Sequence, residues 1–207
     1  MSPDPPREYR FEAPGLQVPH DIDEAADEDR GDARARALLE ANGVTTDPPS
    51  LEAALAGDTE VLRAAAARIL GADDARGACP ALEELAAGTG DTDRVEAAYA
   101  LVRLGRRGPG VAALTAMLPL PVEAFLGASM AAGDLARIGD GAGWGTIDRA
   151  LGSSNPIVRR VAARQLVHFA ALDADRAAPL VHRAIADTDA EVVREAVLAR
   201  LSLGAPE

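Results

Sequence analysis

Nucleophilic catalysis needs a histidine or lysine base beside a serine, cysteine or aspartate, and the histidines are limited to His20, His168 and His182. His168 and His182 fall in segments of helical spacing, where a histidine usually packs or faces solvent. No His-Glu ligand pair is present, and Gly139-Asp-Gly-Ala-Gly-Trp-Gly145 lacks both the lysine and the preceding strand of a phosphate loop. It reads as a loop between helices. The single cysteine, Cys79, forms no intrachain disulfide, offers no zinc site and is expected to be a small buried filler. Catalytic residues, metal ligands and cofactor-binding residues are therefore all assigned as none, and an enzyme is not expected.

The elements around these residues are helical. Apolar residues make up 48% of the 207 positions and aromatics only 3%. Alanine and leucine dominate, which favours helices over sheets built on β-branched and aromatic pairs. The first helix is expected to open on an Asp32 cap (DARARALLEANG) and close at Asn42-Gly43.

Two signatures then alternate. Short helices open on proline: Pro49-Ser-Leu51, Pro80-Ala-Leu82, Pro109-Gly-Val111 and Pro179-Leu-Val181, with Gly145-Thr-Ile147 in the fourth place. Their starts, at 49, 80, 109, 145 and 179, are 31, 29, 36 and 34 residues apart, one helical hairpin per period. Longer helices open on an Asp or Asn cap, with Val three residues later and Arg five later. These are Asp58…Val61…Arg63…Leu70-Gly71, Asn155…Val158…Arg160…Leu166 and Asp189…Val192…Arg194…Leu201. The second repeat follows loosely from Asp91 to Leu104-Gly105. The third, Pro121-Val122-Glu-Ala-Phe125 through Ile138-Gly139, lacks the Asp.

At these residues the chain resembles the HEAT repeat family, in particular the short HEAT-like type of the phycobilisome lyases (D-x-x-V-R-x-x-A-A-x-A-L-G). The resemblance covers about residues 49–204 and is most specific in Asn155–Leu166 and Asp189–Leu201. It departs at Glu96, which stands where an Arg is expected, at the missing Asp of the third long helix, and at the 36-residue step. It implies an all-α, right-handed α-solenoid of about five helical hairpins, each burying its apolar stripe on its neighbours. It also implies that Asp58, Arg63, Asn155, Arg160, Asp189 and Arg194 form a structural ladder.

In such stacks the second helices line the concave face, so Tyr99, Arg103, Arg137, Arg164 and His168 are the candidate partner-binding residues. Arg103 and Arg137 lie 34 residues apart in equivalent helix positions, and form a small basic stripe unless they serve only to solubilise an alanine-rich face. Trp144 is expected to plug the irregular third junction, with a partner anchor as the second reading. The bilin pockets and His-Glu iron ligands of catalytic HEAT-like proteins are not visible, and the basic, aromatic-lined groove of HEAT-like DNA glycosylases does not fit this charge. The expected function is a non-catalytic protein-binding scaffold or regulatory adaptor; the alternative is a HEAT-like enzyme or nucleic-acid binder of the lyase or glycosylase type.

Net charge is -12, with 33 acidic against 21 basic side chains, which argues against a nucleic acid partner. Residues 1–17 lack the apolar core of a secretory signal, and no apolar run is long enough to span a membrane. A soluble cytoplasmic monomer with a protein or peptide partner, and no nucleic acid or membrane partner, is the expectation. Residues 1–34 form a proline-rich acidic segment ahead of the repeat domain, 35–207, and Asp21–Asp32 carries seven acids and one arginine. That run is either a solvated tail or an arm that docks on a basic partner or folds back over the chain's own groove. Tyr9, Phe11, Leu16 and Val18 could pack as a strap on the first repeat.

Overall fold

Spacing of alanine and leucine at three and four residues produces helices throughout the computed structural model, which describes residues 28–203. Eleven α-helices and no strand occur among the described residues: α1 Glu28–Ala41, α2 Pro48–Leu55, α3 Glu60–Ala72, α4 Cys79–Ala87, α5 Thr92–Arg103, α6 Arg107–Met117, α7 Gly127–Arg137, α8 Trp144–Leu151, α9 Pro156–Leu172, α10 Ala174–Ile185 and α11 Ala190–Leu203. The expected strap (Tyr9, Phe11, Leu16, Val18) and most of the acidic run lie outside the described residues. No helix is long and apolar enough to cross a membrane among the described residues.

After α1, the helices pair in sequence order: α2 packs on α3, α4 on α5, α6 on α7, α8 on α9 and α10 on α11. The second member of each pair also packs on the second member of the next, so that α1, α3, α5, α7, α9 and α11 form a continuous row. Between these helices lies one core of mostly small side chains, including Ala66, Ala67, Ala97, Ala98, Ala131, Ala132, Ala162 and Ala163, all fully buried, with Leu39, Leu70, Leu101, Leu135 and Leu166 as its larger members. A side chain of one methyl group lets helix axes approach closely, which is how a core so poor in aromatics reaches dense packing.

Glycine extends the same device. Gly71 lies inside α3, and a Cβ there would stand 2.8 Å from the Cα of Ala100 on α5. It therefore does not close α3, as the Leu70-Gly71 pattern suggests. The helix ends at Ala72, Asp74 beyond it adopts φ 53°, and the Ala75 N–H donates to the Leu70 carbonyl at 3.0 Å. Gly105 and Gly139 do close their helices, at φ 80° and 85°, and the next N–H reaches back to Leu101 and Leu135.

Several starts differ from expectation. Asp32 does not cap α1 but is its fifth residue, because the helix begins at Glu28, inside the acidic segment. Asp47 caps α2 by accepting from the Ser50 N–H, with Pro48 and Pro49 in the first turn. Thr59 rather than Asp58 occupies the cap position of α3. Pro179 falls inside α10, since Asp173 accepts the Arg176 N–H at 3.0 Å and starts the helix five residues before the proline. Asn155 and Asp189 cap α9 and α11 as expected, accepting from Ile157 and from Glu191 and Val192. Pro121 to Phe125 form a turn, and the third long helix opens only at Gly127.

Trp144 opens α8 and is 6% exposed. Its ring meets Phe169 edge-on at 4.5 Å, and the Arg176 guanidinium covers it at 4.6 Å. The irregular 36-residue step is thus filled by one large, mostly buried side chain packed against Phe169 of α9. Cys79 opens α4 and is half-buried, more open than a core filler.

Candidate functional site: the charged row of the second helices

The face of the long-helix row is laced by acids and arginines that join one helix to the next. Glu60, in the first turn of α3, accepts from the Asp91 and Thr92 N–H groups and the Thr92 hydroxyl, at 3.2, 2.9 and 2.8 Å. Asp91 in turn accepts from the Leu126 N–H at 3.0 Å and from the Gly127 N–H. Each acid caps the helix of the following repeat. This explains how α7 starts without an Asp of its own: the carboxylate comes from the repeat before. Burial pushes the Asp91 carboxyl above its ordinary range, against the pull of those two N–H groups, and the nearby Glu60 and Asp93 charges add to the rise.

Arginines form the second thread. Arg63 Nε donates to the buried Asp93 at 2.7 Å. Arg68 Nε donates to Asp32 at 2.8 Å, and its Nη1 approaches both Glu96 oxygens at 3.4 and 3.5 Å. Glu96, in the place of an expected Arg, therefore faces an arginine of the preceding helix. Burial drives its carboxyl up, opposed by Arg68 and Arg137. At the other end of the row, Arg159 grips Asp187 with Nε and Nη2 at 2.8 and 3.0 Å. Glu195 on α11 is reached by Arg164 at 3.2 Å and by Arg160 at 3.8 Å.

Of the ladder residues the resemblance implies, Arg63 joins α3 to Asp93 of the next repeat. Arg160 reaches Glu191 and Glu195, while the bidentate contact between repeats belongs to its neighbour Arg159. No spacing rule separates adjacent arginines, because which of two consecutive side chains turns toward the next helix depends on its tilt.

The five candidate partner-binding residues all lie on this row, in α5, α7 and α9. Arg103 and Arg137 are the last residues of α5 and α7, the equivalence expected from their spacing. Three of the five touch in series. The Arg137 guanidinium stacks 5.0 Å over the Tyr99 ring, and its Nη2 lies 3.0 Å from His168 Nε2. A guanidinium only donates, so His168 Nε2 accepts and the imidazole is neutral in this arrangement. Arg137 also faces Asp134 at 3.6 Å. Tyr99 is 7% exposed and supports Arg137 rather than offering a surface of its own. Arg103 meets Asp32 and Arg164 meets Glu195, so the expected basic stripe is a mixed-charge one. The side chains of Arg103, Arg137 and Arg164 are 22%, 25% and 40% exposed, so each reaches the surface in part.

Among the described residues, no group of three His, Cys, Asp or Glu side chains is placed to hold a metal ion. A cleft between the α4 start and the α5–α6 turn is lined by Arg76, Cys79, Glu83 and Arg106, and the Arg106–Glu83 ion pair of 2.7 Å occupies its rim.

The chain matches no family model and no curated protein. Among the solved structures it resembles, two crystal structures of engineered proteins align over 88% of this chain. They cover 96% and 93% of their own chains, at 17% and 21% identity and TM-scores of 0.49 and 0.47. A likeness of that size carries no argument about arrangement or activity.

Proposed function

We propose that the chain is a non-catalytic protein-binding scaffold or regulatory adaptor, a right-handed HEAT-like solenoid that holds a protein segment along the face of its long-helix row. The observation that carries this reading is the continuous row α3, α5, α7, α9, α11, with a partly exposed arginine side chain on three successive members, at Arg103, Arg137 and Arg164. Helix pairs stacked in one dimension bury their apolar stripes on each other and leave a long face for an extended partner. Half-buried arginines whose forks are already oriented lose little freedom on meeting a partner's carboxylates or carbonyls.

The test is capture from the native host with the full chain as bait, compared with the Arg103→Glu/Arg137→Glu/Arg164→Glu variant of matched helical content. A protein retained by the parent and lost by the variant supports the reading. Equal retention by both removes this face from the proposal.

A further inference from the structure

Asp32, the last acid of the Asp21–Asp32 run, already lies on the long-helix row. It accepts from Arg68 Nε of α3 at 2.8 Å and from Arg103 Nη1 and Nη2 of α5 at 3.2 and 3.1 Å. Glu28, the first residue of α1, is about one helical turn earlier, roughly 6 Å along the axis. The chain preceding it, residues 1–27, lies outside the described residues and joins the fold beside this row. It carries seven acids and two arginines, and Asp21, Asp23, Glu24 and Asp27 fall in the stretch next to α1. Ahead of those acids stand Tyr9, Phe11, Leu16 and Val18. The row changes character in the same order. Arg103, Arg137 and Arg164 follow one another on α5, α7 and α9, whereas α11 holds three of the four exposed large apolar side chains among the described residues, Val197, Leu198 and Leu201. The step that carries Arg160 to Arg194 also carries Arg164 to Leu198, so the line of arginines runs into apolar positions.

We propose that residues 1–27 dock along the long-helix row, their acids on the arginines of α7 and α9 and their apolar residues on the exposed apolar side chains of α11. The segment thereby competes with a partner for the row. This rests on the reading of the row as a partner-binding face and names what regulates it. Reach permits it. Helix axes about 8–10 Å apart put α9 roughly 20 Å and α11 roughly 30 Å from α5. Seven residues span at most about 24 Å and 27 residues at most about 90 Å. The acids at 21–27 therefore reach Arg137 and Arg164, and Leu16 and Val18 reach α11. The arginines keep their own acids, Asp134 and Glu195. A guanidinium carries several N–H donors in a fork, so a further carboxylate joins such a pair without displacing it. A tethered segment acts at an effective concentration in the millimolar range, which lets individually weak contacts hold it in place.

The probe is a synthetic peptide of residues 1–27 carrying fluorescein on its α-amino group. Its anisotropy is read at about 0.1 M salt, where a Debye length of about 10 Å screens the chain's overall negative charge and leaves close pairs intact. It is offered to the full chain and to the full-length variant Asp21→Asn/Asp23→Asn/Glu24→Gln/Asp27→Asn. A control makes the same change of net charge at exposed acids off the row, Glu52→Gln/Glu84→Gln/Glu123→Gln/Asp175→Asn. Weakening the tethered competitor is expected to tighten peptide binding about tenfold or more, while the control matches the parent. Adding Arg137→Gln/Arg164→Gln to the first variant is expected to abolish the gain. The first variant touches no described residue, so its comparison with the parent decides the matter even if the arginine variant folds poorly. Equal affinity of parent and first variant overturns the proposal. A gain that the control reproduces, or that survives the arginine changes, overturns it too. If host capture fails while the gain appears, the docked segment stands and the partner reading falls. Successful capture with no gain overturns the docked segment and leaves the partner reading in place.

Discussion

Arg159 and Asp187, on neighbouring repeats, form a two-pronged ion pair with Nε and Nη2 donating at 2.8 and 3.0 Å. Arg159 also donates to the Ser153 and Ser154 carbonyls at 3.0 and 3.1 Å, so one guanidinium ties the α8–α9 turn to the α10–α11 turn. The Arg159 hydrogen bond holds the Asp187 carboxyl below its ordinary range. The folded chain therefore binds fewer protons here than the unfolded chain, and the pair's contribution is present above the ordinary carboxylate range and lost as pH falls through the depressed value. Asp187→Asn should cost about 2 kcal/mol at neutral pH. In urea melts, the gap between parent and variant should close as the solution is acidified through that window.

Gly71→Ala separates packing from propensity. Alanine in an open helix would stabilise α3 by up to about 1 kcal/mol. The new methyl would instead press on the Ala100 backbone, which has no side-chain freedom to yield. We expect net destabilisation of about 1–2 kcal/mol by thermal or urea melting.

Asp91→Ala should destabilise the chain by about 0.5–2 kcal/mol, the usual range for a lost helix cap, although Asp91 does not belong to the helix it caps. Asp91→Asn keeps an acceptor oxygen and should cost less. Hydrogen exchange localised to the first turn of α7 reads the effect where Asp91 meets Leu126 and Gly127.

Glu96 has the opposite sign from Asp187. Burial raises its carboxyl, so the folded chain holds the proton more tightly than the unfolded chain, and its ionisation costs stability as pH rises through the folded value. Glu96→Gln removes that titration. Relative to the parent, the variant should be most favoured above this window, and the difference should shift toward the parent as pH falls to the ordinary carboxylate range and below.

The regular elements were legible because they rest on local rules. Pro156 behind Asn155, Pro49 in the first turn of α2, and the αL glycines 105 and 139 each set a helix end through their own backbone. What local spacing could not give is anything decided by the neighbouring repeat. Gly71 looks like a helix stop until Ala100 is seen above it, and Asp32 looks like a cap until Arg68 and Arg103 are seen beside it. Of the candidate residues, the Arg103–Arg137 equivalence could be read from their 34-residue spacing. The partners Asp32, Asp134 and Glu195 could not, because an arginine's acid can come from its own helix or from an adjacent one.

Binding of a partner along the long-helix row is the central proposal. Hydrogen–deuterium exchange of the full chain with and without the captured host partner reads this directly. Added protection should fall on the C-terminal turns of α5 and α7 and on α9, around Arg103, Arg137 and Arg164. Protection confined to α2, α4, α6, α8 and α10 would contradict the account.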